Sequence, residues 1–118
     1  MHEIKNKNAL RAREESGGLR VLILCDSKYL GEDTLYSLYL ADGLRKNGLN
    51  PYVIHAGGMF DTLLQRRELR GQAFNYLTWG PFNPFSYRKI VAEANAFQPA
   101  VVHIVGSGMT LLGAWLAS

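Results

Sequence analysis

Apolar residues fall into short dense runs separated by longer amphipathic stretches. In the first run, Leu19-Arg-Val-Leu-Ile-Leu-Cys25, six of seven positions are apolar or Cys. That is too continuous for a strand with one wet face, and it predicts a central parallel strand buried on both sides. A polar, glycine-containing loop follows, Asp26 to Asp33. Asp33 or Thr34 can then cap a helix running to about Asn47, with Leu40, Ala41 and Leu44 at helical spacing. Arg45 and Lys46 suit the negative end of that helix, and Gly48 suits a left-handed cap.

The second strand reads as Pro51 to Ala56, with proline tolerated at its start. Asp61 then caps a short helix, Thr62 to about Arg70, and Phe74 to Thr78 reads as a third strand. Trp79 to Pro84 is a loop, and Asn83 with Pro84 opens another helix. That helix turns Ile90, Val91, Ala94 and Phe97 inward and stops before Pro99. Ala100 to Val105 is a fourth buried strand, Gly106-Ser107-Gly108 a tight turn, and Met109 onward a helix without a stop signal.

This alternation predicts an α/β fold, a Rossmann-like open parallel sheet with helices on both faces. Right-handed crossovers give the strand order 3-2-1-4. A four-strand series ending inside a helix reads as an incomplete domain, the first part of a larger protein. Residues 1–18 mix basic and acidic side chains, end in Ser-Gly-Gly and offer no apolar face, so they read as a flexible tail. Residues 19–118 are then the Rossmann-like fragment.

Composition narrows the function classes. The 118 residues are 47% hydrophobic and 19% charged, with formal charge +3 and a pI near 9.2. One domain fits this length. The basic excess is too small, and too dispersed, to argue for nucleic acid. Cys25 is the single cysteine, so no intrachain disulfide forms, and it reads as a small buried hydrophobe. There is no secretory h-region and no apolar run near the roughly 20 residues of a membrane span. The expected location is cytoplasmic, with peripheral contact at the inner face of the membrane as an added reading.

In open α/β sheets, ligands bind where strand order reverses, at the carboxyl ends of the strands. Here that junction lies between the first and fourth strands. The candidate binding residues are therefore Asp26, Ser27, Gly31 and Glu32 on one side, and Gly106, Ser107 and Gly108 on the other. Glu32 and Asp33 at a positive helix end repel phosphate, so the first loop suits hydroxyl groups. The small residues of Gly106-Ser107-Gly108 suit an anion. No G-x-G-x-x-G follows the first strand and no P-loop occurs, which argues against dinucleotide and P-loop chemistry. His103 reads as a core residue with its ring nitrogens satisfied. His55 lies closer to the ligand end of the sheet, without a visible partner. No Cys/His set has metal-ligand spacing, so no metal is expected. Arg66, Arg67 and Arg70 form a short basic amphipathic segment. A solvated helix face is its default reading, and anionic lipid is the second.

The ordered series resembles a known family. Arg20-Val-Leu-Ile-Leu, a loop at Gly31, Leu40-Ala-Asp-Gly-Leu-Arg-Lys-Asn-Gly48, Tyr52-Val-Ile and Gln98-Pro-Ala-Val-Val-His-Ile104 together look like the N-terminal domain of glycosyltransferase family 4, of GT-B fold. The resemblance covers about Leu19 to Ser118. It implies an enzyme that moves a hexose from a nucleotide sugar to a glycan or lipid acceptor, needing no cofactor beyond that donor substrate. This portion would mainly bind acceptor, with a second Rossmann domain holding the donor, and alone it would be inactive. Glu32 stands where the family's second loop glycine falls, and Val105 where a second histidine often stands. No catalytic residue is therefore assigned. The alternative is a non-catalytic α/β ligand-binding or regulatory module.

Overall fold

The computed structural model describes residues 7–15, 18–25, 31–74 and 84–105. In chain order the elements are α1 (Lys7–Glu15), β1 (Arg20–Cys25), α2 (Glu32–Lys46), β2 (Asn50–His55), α3 (Met59–Arg66), β3 (Arg70–Ala73), α4 (Pro84–Phe97) and β4 (Val101–Val105). The four strands form one parallel sheet in the order β3-β2-β1-β4. The expected α/β class and strand order are both present.

The sheet has two buried faces because β1 and β2 are apolar at consecutive positions. Val21, Ile23, Cys25 and Val53 point to one side, where Leu38, Ala41, Phe60 and Leu64 of α2 and α3 cover them. Leu22, Leu24, Tyr52 and Ile54 point to the other, against Ile90, Ala94 and Phe97 of α4. Alternate residues of a strand face opposite ways, so a continuous run supplies two cores at once.

The second face carries a correction. Residues 7–15, read as part of a flexible tail, form α1. Ala9 and Ala12 are buried in the α4-side core, and Asn50 Nδ2 donates to the Ala12 carbonyl at 2.7 Å. Two alanines three residues apart carry little hydrophobic signal. They allow close backbone approach instead, which sequence periodicity does not reveal.

α2 and α3 end in the same hydrogen-bond motif. After α2, Gly48 N–H donates to the Arg45 carbonyl at 3.0 Å and Leu49 N–H to the Leu44 carbonyl at 2.9 Å. After α3, Glu68 and Leu69 make the equivalent bonds to Gln65 and Leu64 at 3.0 and 2.9 Å. Both are Schellman caps with the turning residue in the left-handed region, Gly48 at φ 84° and Glu68 at φ 58°. The first carries its glycine signature and the second does not. This is why α3 stops at Arg66 rather than near Arg70, ahead of a strand at Arg70–Ala73; of the strand expected at Phe74–Thr78, residues 75–78 lie outside the described residues. Glycine escapes the left-handed penalty that glutamate bears, so Glu68→Gly should stabilise the fold by roughly 0.5–1 kcal/mol, as read by urea denaturation. The exposed ion pair lost with Glu68, 3.5 Å from Arg45, is too weakly held to reverse the sign.

Candidate functional site

β1 and β4 run parallel, with Cys25 in register with Val105. This adjacent pair of carboxyl ends is the point where strand order reverses, the position expected to bind ligand. Of the candidate residues, Gly31 and Glu32 are described, while Asp26, Ser27, Gly106, Ser107 and Gly108 lie outside the described residues, as do Asn83 and the segment from Met109.

Gly31, not Asp33 or Thr34, is the N-cap of α2. Having no side chain, it cannot cap through one. Thr34 reaches back instead: its Oγ1 accepts the Gly31 N–H at 2.8 Å and donates to the Gly31 carbonyl at 3.1 Å. The hydroxyl thereby closes the first turn from inside, and Thr34 is only 1% exposed. Glu32 and Asp33 are left exposed on the first turn. Two carboxylates at the positive end of a helix disfavour a phosphate there and can accept hydrogen bonds from hydroxyl groups.

His103 is half-buried rather than a core residue. It lies on the α2 side of β4, between exposed Val101 and buried Val105. Its ring is 5.9 Å from that of Tyr36, whose hydroxyl is 3.5 Å from Nε2. That is a long and weak polar contact. Tyr36 was not singled out by sequence, although a large aromatic off the inward stripe of α2 is the kind of signal that marks such a position.

His55 is not at a ligand-facing surface. It is fully buried at the end of β2, with its ring 5.1 Å from Phe60. Nδ1 accepts the Gly57 N–H at 3.0 Å, which makes Nε2–H the neutral tautomer. Nε2 lies 3.5 Å from Asp61 Oδ1 and has no hydrogen-bond partner. Burial lowers the pKa of His55 below its ordinary 6.5, opposed by the Asp61 charge. Since the folded state disfavours the proton, the contribution of His55 to stability is complete above the unfolded value of 6.5. It declines as pH falls below that value, at up to about 1.4 kcal/mol per pH unit. Urea denaturation between pH 7.5 and 5 should show this loss, and His55→Gln should remove the histidine part of the slope.

The three arginines do not form one helix face. Arg66 ends α3, Arg67 follows it and Arg70 begins β3. Arg67 turns toward α2, donating to Asp42 Oδ2 at 3.2 Å with its guanidinium 5.6 Å from the Tyr39 ring centre. Asp42 also pairs with Lys46 at 2.9 Å, and that hydrogen bond leads the causes that lower its pKa. The basic amphipathic segment is thus divided between a helix end and a strand, with Arg67 held against its neighbours. No helix among the described residues is long and apolar enough to cross a membrane, and no group of three His, Cys, Asp or Glu is placed to hold a metal.

No family model matches the sequence, and no curated protein matches it significantly. Two solved structures do share its fold. A glycosyltransferase from Rickettsia africae superposes with a TM-score of 0.68 over 86% of this chain, at 18% identity. Anabaena HepE, in complex with UDP-glucose, superposes with a TM-score of 0.66 over 84%, at 21% identity. The chain spans 27% and 26% of those two proteins. At these identities the likeness establishes the fold.

Proposed function

We propose that residues 19–118 are the acceptor-side part of the N-terminal domain of a GT-B glycosyltransferase. The enzyme would move a hexose from a nucleotide sugar to a glycan or lipid, with the donor held by a second Rossmann domain. The observation that carries this reading is the fold: a 3-2-1-4 parallel sheet shared with a glycosyltransferase and with a protein that binds UDP-glucose. The site chemistry agrees with it. The exposed carboxylates of Glu32 and Asp33 at the start of α2 fit hydroxyl groups of an acceptor better than the phosphates of a donor. In this reading Asp26, Ser27, Gly31 and Glu32 contact the acceptor, and Gly106, Ser107 and Gly108 complete the site from the β4 side. The family assignment, glycosyltransferase family 4, rests on the motif series from Arg20 to Ile104.

One observation favours a non-catalytic module instead. Val105, where the family often has a second histidine, is 6% exposed and packed in the α2-side core. That position supplies no polar group to a reaction.

The two readings separate on turnover. The complete product of the gene, given radiolabelled nucleotide sugars with glycan and lipid extracts, should transfer label to an acceptor. Absence of both transfer and donor hydrolysis with every nucleotide sugar would leave the binding module as the better account.

A further inference from the structure

At the opposite edge of the sheet from β4, a cavity of about 520 Å³ opens between α1, β3 and α4. Its volume is that of a small-molecule site. Lys7, Arg88 and Lys89 supply three cations, Phe74 an aromatic ring, and Gln72 and Glu93 polar groups.

Two features set this cavity apart from an ordinary basic surface. The cations make no ion pair among the described residues, although Glu93 follows Lys89 by four positions on α4. Glu93 itself is a buried carboxylate, 4% exposed, and its Oε1 accepts the Tyr52 hydroxyl at 2.6 Å. A carboxylate offers about four acceptor positions, so one phenol leaves capacity toward the cavity it lines. Asn8 Nδ2 donates to Gln72 Oε1 at 2.7 Å, which orders the amide wall.

A bare anion would use the cations but meet the Glu93 charge. A neutral sugar would use Glu93 and the amide but leave three cations unused. A ligand carrying both a phosphate and hydroxyl groups satisfies the whole lining, with its C–H face available to Phe74. We propose that this cavity binds a phosphorylated polyol, free or as a lipid headgroup. The phosphate sits against Lys7, Arg88 and Lys89, and hydroxyl groups sit on Glu93 and Gln72. The site is separate from the β1–β4 junction, and it does not depend on the transferase reading.

Isothermal titration of the 118-residue chain with glucose 1-phosphate, inorganic phosphate and glucose tests this directly. Saturable 1:1 binding of glucose 1-phosphate is expected, about tenfold or more tighter than either control, as charge-assisted and neutral hydrogen bonds combine. Arg88→Ala with Lys89→Ala should weaken it by about tenfold, while Arg66→Ala, on α3, should not change it. Glu93→Gln keeps an acceptor for Tyr52 and should narrow the preference over inorganic phosphate. Vesicles of phosphatidylinositol in phosphatidylcholine form the lipid arm. Binding there without a soluble response, and stronger than to phosphatidic acid vesicles of equal charge, assigns the headgroup. The proposal fails if neither arm binds saturably or if inorganic phosphate binds as tightly as glucose 1-phosphate. It fails equally if the Arg88/Lys89 pair is without effect, or if only vesicles bind and phosphatidic acid serves as well.

Discussion

Phe97→Ala should lower the stability of the fold by about 3–5 kcal/mol, the cost of emptying a large aromatic site. Phe97 is fully buried and stacks on Tyr52, ring centres 5.0 Å apart. The two rings join α4 to the sheet, among Leu22, Leu24, Ile54 and Ile90. Single domains are stable by only about 5–15 kcal/mol, so the variant should unfold at a much lower urea midpoint. Tyr52→Phe provides the comparison. It keeps the ring and removes only the hydroxyl that donates to Glu93, leaving a buried carboxylate short of its donor. That should cost about 1–3 kcal/mol, less than the lost ring. The pKa of Tyr52 is raised well above its ordinary value, by burial first and by the bond to Glu93 second. Equal, small effects from Phe97→Ala and from a surface substitution would place Phe97 outside the core.

Ala12→Asp should cost about 3 kcal/mol by placing an unpaired charge in the α4-side core. Ala12 is 1% exposed and part of the α4-side core. α1 has nine residues, too few for a helix to persist in water without docking. The variant should therefore release α1 and uncover the apolar groups around Ala9 and Ala12. Hydrogen exchange across residues 7–15 should accelerate together with the fall in urea midpoint. Arg11→Asp, one residue away on the exposed side, should stay within about 0.5 kcal/mol of the parent chain. Were both variants equally mild, residues 7–15 would behave as the tail that their composition suggests.

α1 marks the limit of what sequence patterning reveals. β1 was legible because a run apolar on both faces has one common structural home, and α2 because its stripe and Gly48 agree. The strand order followed from crossover handedness. α1 was not legible because its buried face is two alanines. β3, at Arg70–Ala73, was not legible for a related reason. Arg-Gly-Gln-Ala carries no β-branched or aromatic residue, and its strand identity comes from pairing with β2. Gly71 shows how tight that pairing is: an added Cβ would fall 2.7 Å from the Val53 carbonyl oxygen and 3.0 Å from Leu64 Cδ1. Such non-local constraints leave little local signature.

The site divides in the same way. Topology located the β1–β4 junction, and the cap position was misjudged by only a few residues. The role of Thr34 depends on a reciprocal bond to Gly31 that the sequence does not single out. Its place at a strand end puts His55 near enough to a crevice to contact ligand, whereas packing of Phe60 and the turn at Gly57 bury it completely. His103 moved the other way, from core to half-buried, because the α2 side of β4 is less covered than its valines suggest.

Backbone amide shifts of the 118-residue chain, titrated with oligosaccharides and lipid-linked saccharides and separately with UDP-glucose, test the central claim most directly. An acceptor-side domain should respond to saccharides at Gly31, Glu32, Cys25 and Val105, where β1, β4 and the start of α2 meet, and should leave those amides unmoved by UDP-glucose at equal concentration. A saturable response to UDP-glucose at those amides, without one to any saccharide, would place the donor on this domain and contradict the account.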